Sequence, residues 1–196
     1  SNVTDTAITG LATFDHLDWR RFDVWAIAEA AGLATIDEPR HARCVQWLQA
    51  HQYNLTTFDF SQGLETAVPN IGTALNWQQQ FGYQLSPDSR NLDALRDGFE
   101  FETADANAAG QVLEILGAEA AWSEDAEWFI GLLSIAREYA LQQLALGKRF
   151  FCLLVLPPNS QLINRVVEEV RIQVPFWWPN KDIHNFSMPS DGQSAN

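Results

Sequence analysis

Residues Phe150 to Leu156, FFCLLVL, form an unbroken apolar run between Lys148-Arg149 and Pro157-Pro158. A run this short, bounded by charge and by proline, is the signature of a strand buried on both faces. Such strands belong to parallel sheets, whose two faces are both covered. Parallel neighbours cannot be joined by a hairpin, so the chain has to supply crossover helices. That requirement organises the reading of everything upstream.

The long helix comes immediately before the run. Ser123 is a good N-cap, with Glu124, Asp125 and Glu127 in the first turn, where the helix dipole favours acids. Phe129, Leu132, Leu133, Ala136, Ala140 and Leu144 mark its buried stripe, and Gly147 ends it. Gln111 to Leu116, QVLEIL, alternates and reads as a strand, as does Tyr53 to Phe60, YNLTTFDF. Between those strands lies a helix with Pro69 in its first turn, an apolar stripe from Ile71 to Phe81, and Gly82 as its stop. Tyr83 to Arg90 is a loop, a short helix follows to about Phe99, and Thr103 to Gly110 is a second loop.

The order strand, helix, helix, strand, long helix, strand implies an α/β fold with a small parallel sheet of three strands and right-handed crossovers. A fourth strand is available from the N-terminal segment. There Arg21 to Ala28, RFDVWAIA, reads as a strand or as a helix, and Asp37-Glu38-Pro39 starts a helix that runs to about His51. The organisation is then a central domain over residues 53–158. Residues 1–52 form an N-terminal extension with room for one strand–helix unit, and residues 159–196 a C-terminal extension and tail. Ser1 to Asp15 reads as a polar arm, and Ile163 to Val174 as a helix or strand. Phe176-Trp177-Trp178-Pro179 lies in the tail, and disorder is expected from about Met188.

Charge narrows the function classes. The net charge of −13 repels nucleic acid and anionic membranes and suits a basic protein partner. No apolar run approaches the length of a membrane-spanning helix, and Ser1 to Leu17 has no signal-peptide pattern. Cys44 and Cys152 sit among apolar residues and read as buried free thiols in a reducing cytoplasm. His16, His41, His51 and His184 are scattered, and the chain has no nucleophile elbow, phosphate loop or HExxH motif. Binding is therefore favoured over catalysis, with no cofactor or metal, and a monomer is expected when free.

The stretch that carries a candidate site is Phe81 to Phe101. A helix capped by Asn91 puts Asp93 and Asp97 on one face, four residues apart, and turns Leu92 and Leu95 inward. Asp93 in a first turn also has a purely structural use, as a charge favoured by the helix dipole. Asp88 and Glu100 add to the local acidity, against Arg90 and Arg96.

Phe81-Gly82 closing one helix, Asn91-Leu92-Asp93-Ala94-Leu95…Asp97 forming the next, and a strand–long helix–strand ending over Gln111 to Leu156 together resemble the barstar family. These are small acidic inhibitors of secreted microbial ribonucleases, and the resemblance covers roughly Tyr53 to Leu156. It implies a binding protein, not an enzyme, that blocks a nuclease active site with an acidic helix and the preceding loop. Asp93 and Asp97 match the family's acidic contacts, and Arg96 matches a contact position often filled by an aromatic. A contact glutamate on the long helix matches Glu138, or Gln142 when counted back from Gly147. The aromatic pair that the family has before the Gly is here Gln80-Phe81, so its usual tyrosine is replaced, or supplied by Tyr83 from the longer loop. The loop departs too, since one residue commonly separates Gly from Asn in the family whereas Tyr83 to Arg90 do so here, and the N-terminal 50 and C-terminal 40 residues have no counterpart in the minimal family fold.

The partner implied is a secreted or contact-dependent nuclease toxin, met in the cytoplasm of the producing bacterium. Two other readings stay open. One is a barstar-like interaction module with no nuclease target. The other is a hydrolase using Asp93 and Asp97 as acid and base.

Overall fold

The computed structural model describes residues 21–101 and 107–170. Its centre is a four-stranded sheet in the order β1-β4-β3-β2, all parallel. The strands are β1 (Leu33–Asp37), β2 (Tyr53–Asp59), β3 (Gly110–Leu116) and β4 (Phe150–Leu156). β4 lies inside the sheet with every residue buried, as its apolar run requires. Registers such as Leu33 with Cys152 and Leu113 with Cys152 put side chains of one parity on each face.

Each face carries its own core. Against one pack α1 (Phe22–Val24, continuing as a π-helical Trp25–Glu29) and α2 (Glu38–Ala50), through Phe22, Trp25, Cys44, Trp47 and Leu48. Against the other pack α3 (Leu64–Ala74), α4 (Trp77–Phe81), α5 (Leu92–Gly98), α6 (Ala118–Ala145) and α7 (Leu162–Val170). Handedness accounts for the division. β2 to β3 to β4 steps one way across the sheet, and β1 to β2 jumps back the other way. Right-handed crossovers in opposite directions place their helices on opposite faces.

The fourth strand comes from the N-terminal extension, but from LATID rather than from RFDVWAIA. The latter segment is helical despite its β-favouring residues. Phe22 through Ile27 are all buried, so tertiary packing overrides a weak propensity. Asp23, fully buried, anchors it. Its carboxylate accepts from Tyr53 Oη at 2.5 Å, from Arg21 at 3.0 and 2.8 Å, and from Val24 N–H at 3.0 Å, with Arg149 3.8 Å away. Burial, and then the Asp23 charge, pushes the Tyr53 phenol well above its ordinary range. Gly32 then turns the chain into β1 at φ 85°, where a Cβ would lie 2.3 Å from that of Ala140.

Two helix starts differ from expectation. α3 begins at Leu64, so Pro69 lies inside it and not in its first turn. The extra turn buries Leu64, Ala67 and Val68, and the Glu124 carboxylate accepts the Leu64 N–H at 3.2 Å. Burial and this cap offset the backbone bond lost at Pro69. Nor is it one helix to Phe81: Asn76, at φ 53°, separates α3 from α4. α6 begins at Ala118, not after Ser123, and breaks direction at Asp125 (φ −155°, ψ 84°). There Asp125 caps the longer second part, accepting from Trp128 N–H at 3.1 Å. Gly147 ends it with a Schellman motif, Lys148 N–H to Gln143 O at 2.8 Å and Gly147 N–H to Leu144 O at 2.9 Å.

β1 and α2 join the same sheet and core as residues 53–158, and α7, within the C-terminal extension, packs on the opposite core. The polar arm and the aromatic tail fall outside the described residues. Cys44 and Cys152 are free and buried, and burial raises both thiols well above their usual range. No helix among the described residues is long and apolar enough to cross a membrane.

Candidate functional site

The short helix α5 forms where its sequence places it. The Asn91 side chain accepts the N–H groups of Asp93 and Ala94 at 2.9 and 3.1 Å, which fixes the first turn. Leu95 is fully buried, and Leu92 packs against Gly131 of α6, where an added Cβ would lie 2.5 Å from a Leu92 methyl. The opposite face is left to solvent. The Asp93 side chain is 90% exposed and Asp97 is exposed too.

Arg96 ties that face to the long helix. Its Nε donates to Glu138 at 2.9 Å and its Nη1 to Asp93 at 3.3 Å. The guanidinium is held above its ordinary range by the Glu138 hydrogen bond and charge, then by Asp93 and Asp97. Asp93, Arg96, Asp97 and Glu138 therefore form one acidic patch across two helices. Gln142, the alternative position for the contact glutamate, is exposed one turn further along. Being exposed, the Arg96 pairs add little to stability, and their use is to fix where the carboxylates stand.

Phe81 and Tyr83 flank the patch. They are 38% and 42% exposed, among the few large apolar side chains so exposed in the described residues. Phe81 packs against the buried ring of Trp77 at 4.4 Å, tilted by 39°, and Tyr83 meets the same ring edge-on at 6.2 Å. A Cβ on Gly98 would lie 2.6 Å from both Phe81 and Trp77, so a glycine at the end of α5 lets the aromatic pair close against it. Gln80 Nε2 locks the junction by donating to Leu75 O at 2.6 Å and Gly98 O at 3.1 Å.

The long loop is folded back, not free. Pro87–Ser89 forms a 3₁₀ turn, and Arg90 binds Asp125 at 2.7 Å while also donating to Pro87 O. Trp128 Nε1 donates to Arg90 O at 2.9 Å, and the Arg90 guanidinium lies over the Trp128 ring. The kink of α6 and the loop thus hold each other. The Trp128 N–H bond, then Arg90, lowers Asp125 below the ordinary carboxylate range. Asp88 is exposed on the 3₁₀ turn. Glu100 is exposed beyond α5, where its charge helps to raise the Tyr139 phenol, a smaller influence than burial of that ring.

A second polar cluster escaped sequence reasoning. Glu114 of β3, 8% exposed, accepts from Thr57 Oγ1 at 2.6 Å and hydrogen-bonds His41 Nε2 at 2.6 Å. The one signal in the sequence is a charge inside the apolar alternation QVLEIL. The Glu114 carboxylate thus bridges the Thr57 hydroxyl on one oxygen and the His41 imidazole on the other. Cys44, one turn from His41, is fully buried and its thiol is held protonated by desolvation. Among the described residues no group of three or more His, Cys, Asp or Glu could hold a metal ion.

Fold and site together define an α/β protein with a rigid acidic helix face bordered by exposed aromatics. No protein-family model matches the chain, and no curated protein or solved structure matches it.

Proposed function

We propose that the chain is a barstar-like inhibitor or immunity protein that binds and blocks the active site of a cognate toxin, a ribonuclease foremost. The working surface is α5 with Asp93 and Asp97, Glu138 beside them, and Phe81 and Tyr83 at the foot of the helix. Asp88 and Glu100 lie at the margins. The observation that carries this reading is an exposed carboxylate pair on a helix whose other face is buried in the core. A phosphate-binding site holds cations at fixed spacing, and rigid carboxylates match it with little reorganisation.

The enclosing −13 charge supports electrostatic steering toward a basic partner, and the exposed aromatics suit the anchors of a protein interface. Arg96, in the middle of the acids, asks that the partner also present an acceptor there. The reaction site would be that of the toxin, with no catalysis by this chain, and the encounter would take place in the producer's cytoplasm. A barstar-like module with another basic partner is the second reading, favoured by the anchored loop over Pro87–Arg90, which gives the surface its own shape.

The test is capture of partners from the native host, with the D93A/D97A double variant alongside. A basic nuclease held by the wild type, at least about tenfold tighter (about 1.4 kcal/mol) than by the variant, is expected. Its association is also expected to slow at high salt, because charges are screened over about 8 Å at 0.15 M. Equal capture by both proteins would remove α5 from the site, and a non-nuclease partner lost with the two acids would select the second reading.

A further inference from the structure

In an open parallel sheet, ligands bind outside the carboxyl ends of strands where successive connections leave toward opposite faces. Here that point lies between β1 and β4. β1 leads into α2 on one face, and β4 leads into α7 on the other. A crevice of about 400 Å³ opens there, within the range of small-molecule sites. It shares no residue with the acidic patch.

We propose that this crevice binds a small neutral molecule of the nucleoside class, carrying a planar apolar part and neighbouring hydroxyls. One wall is apolar: Leu156, Pro157, Pro158 and Ile163. The Pro157 to Ser160 turn shapes it, closed by Ser160 N–H to Pro157 O at 3.2 Å with Asn159 at φ 62°. The polar side consists of Thr35, Asp37 and Asn164, with Asn159 and Gln161 at the loop.

Thr35 is the residue that points to a ligand. It is 1% exposed, lines the crevice, and its Oγ1 has no hydrogen-bond partner. It shares a sheet face with Leu33 and, through its register with Leu154, with the apolar core under α7. Buried hydroxyls are ordinarily satisfied, so an unpartnered one in the lining of a crevice calls for a partner.

The charge balance decides against an anion. Arg40, the cation of the lining, is already paired with Asp37 through its guanidinium and its backbone N–H. The N-terminus of α2 is capped by Asp37 itself. At the start of α7 the Ser160 hydroxyl accepts the Leu162 N–H at 3.2 Å and donates to Glu119 at 2.5 Å. Each oxygen of Asp37 retains acceptor capacity for a ligand hydroxyl.

The experiment is a titration of the full chain with adenosine, followed by calorimetry and by amide NMR shifts. AMP and ribose are the comparators, and Thr35→Val the variant. Valine keeps the shape and removes only the hydroxyl, and the thermal unfolding of the variant reports whether the fold is kept. Saturable adenosine binding, with shifts at the crevice and at least about fivefold weakening in T35V, is the expected result. Absence of saturable adenosine binding at millimolar concentration would overturn the proposal. So would unchanged affinity in a folded T35V, tighter binding of AMP than adenosine, or ribose binding as well as adenosine. An intact response of α5 to its toxin leaves these outcomes unaffected.

Discussion

Removing the Asp125 carboxylate tests how the loop and the kinked helix hold the acidic face. Asp125 does two things: one oxygen caps the second part of α6 through Trp128 N–H at 3.1 Å, and the other binds Arg90 at 2.7 Å. Loss of an N-cap costs about 1 kcal/mol, within a range of about 0.5–2. The ion pair, with side chains 26% and 31% exposed, is worth no more than about 1 kcal/mol after solvent screening. Asp125→Ala should therefore destabilise by about 1.5–2 kcal/mol. In a chain of 196 residues that lowers Tm by roughly 3–8 °C. Asp125→Asn keeps a capping oxygen and should cost less than half as much.

The pH dependence has a definite sign. The folded carboxyl is held below its unfolded value of about 3.9, so its contribution is complete above about pH 4 and is lost as pH falls through the depressed folded value. Urea unfolding of wild type, D125A and D125N at pH 7 and at pH 3 measures all of this. A D125A protein within about 0.5 kcal/mol of wild type at pH 7 would refute the dual role. Equal losses in D125A and D125N would refute the primacy of the cap.

Asp23→Ala strips a buried carboxylate from Tyr53, Arg21 and the Val24 N–H, and should cost about 3–5 kcal/mol in urea unfolding; a loss below about 1 kcal/mol would make the network incidental. Gly117→Ala puts a Cβ 2.3 Å from Ser61 N at φ 68°, so a destabilisation of about 2 kcal/mol or more is expected, and a neutral thermal melt would contradict the close approach of β2 and α6.

What could be read in the chain before the structure follows a physical line. β4 was legible because burial on both faces is written directly into seven consecutive residues. α5 was legible because Asn91, Asp93, Leu95 and Asp97 carry their cap and their faces within one short segment. α1 was not, since its fate depends on Tyr53 and Arg149, far along the chain, meeting Asp23. The kink at Asp125 depends in the same way on Arg90, and the Arg96–Glu138 pair on α5 packing against α6. Sequence reasoning put the carboxylates on one face. It had no means of showing that Arg96 binds Glu138 or that Phe81 closes over Gly98.

The position of β1 bears on how the chain comes to be folded. β1 and α2 are synthesised ahead of the rest of the sheet, yet β1 is hydrogen-bonded to β4, whose first residue is Phe150. On the ribosome, Trp47 and Leu48 can contact α1 early, but the Leu153 and Val155 side of their core arrives only with β4. Pairing over such a separation is entropically slow. β1 therefore waits for β4 before its own edge of the sheet can close, and until then the apolar side chains of its core remain uncovered.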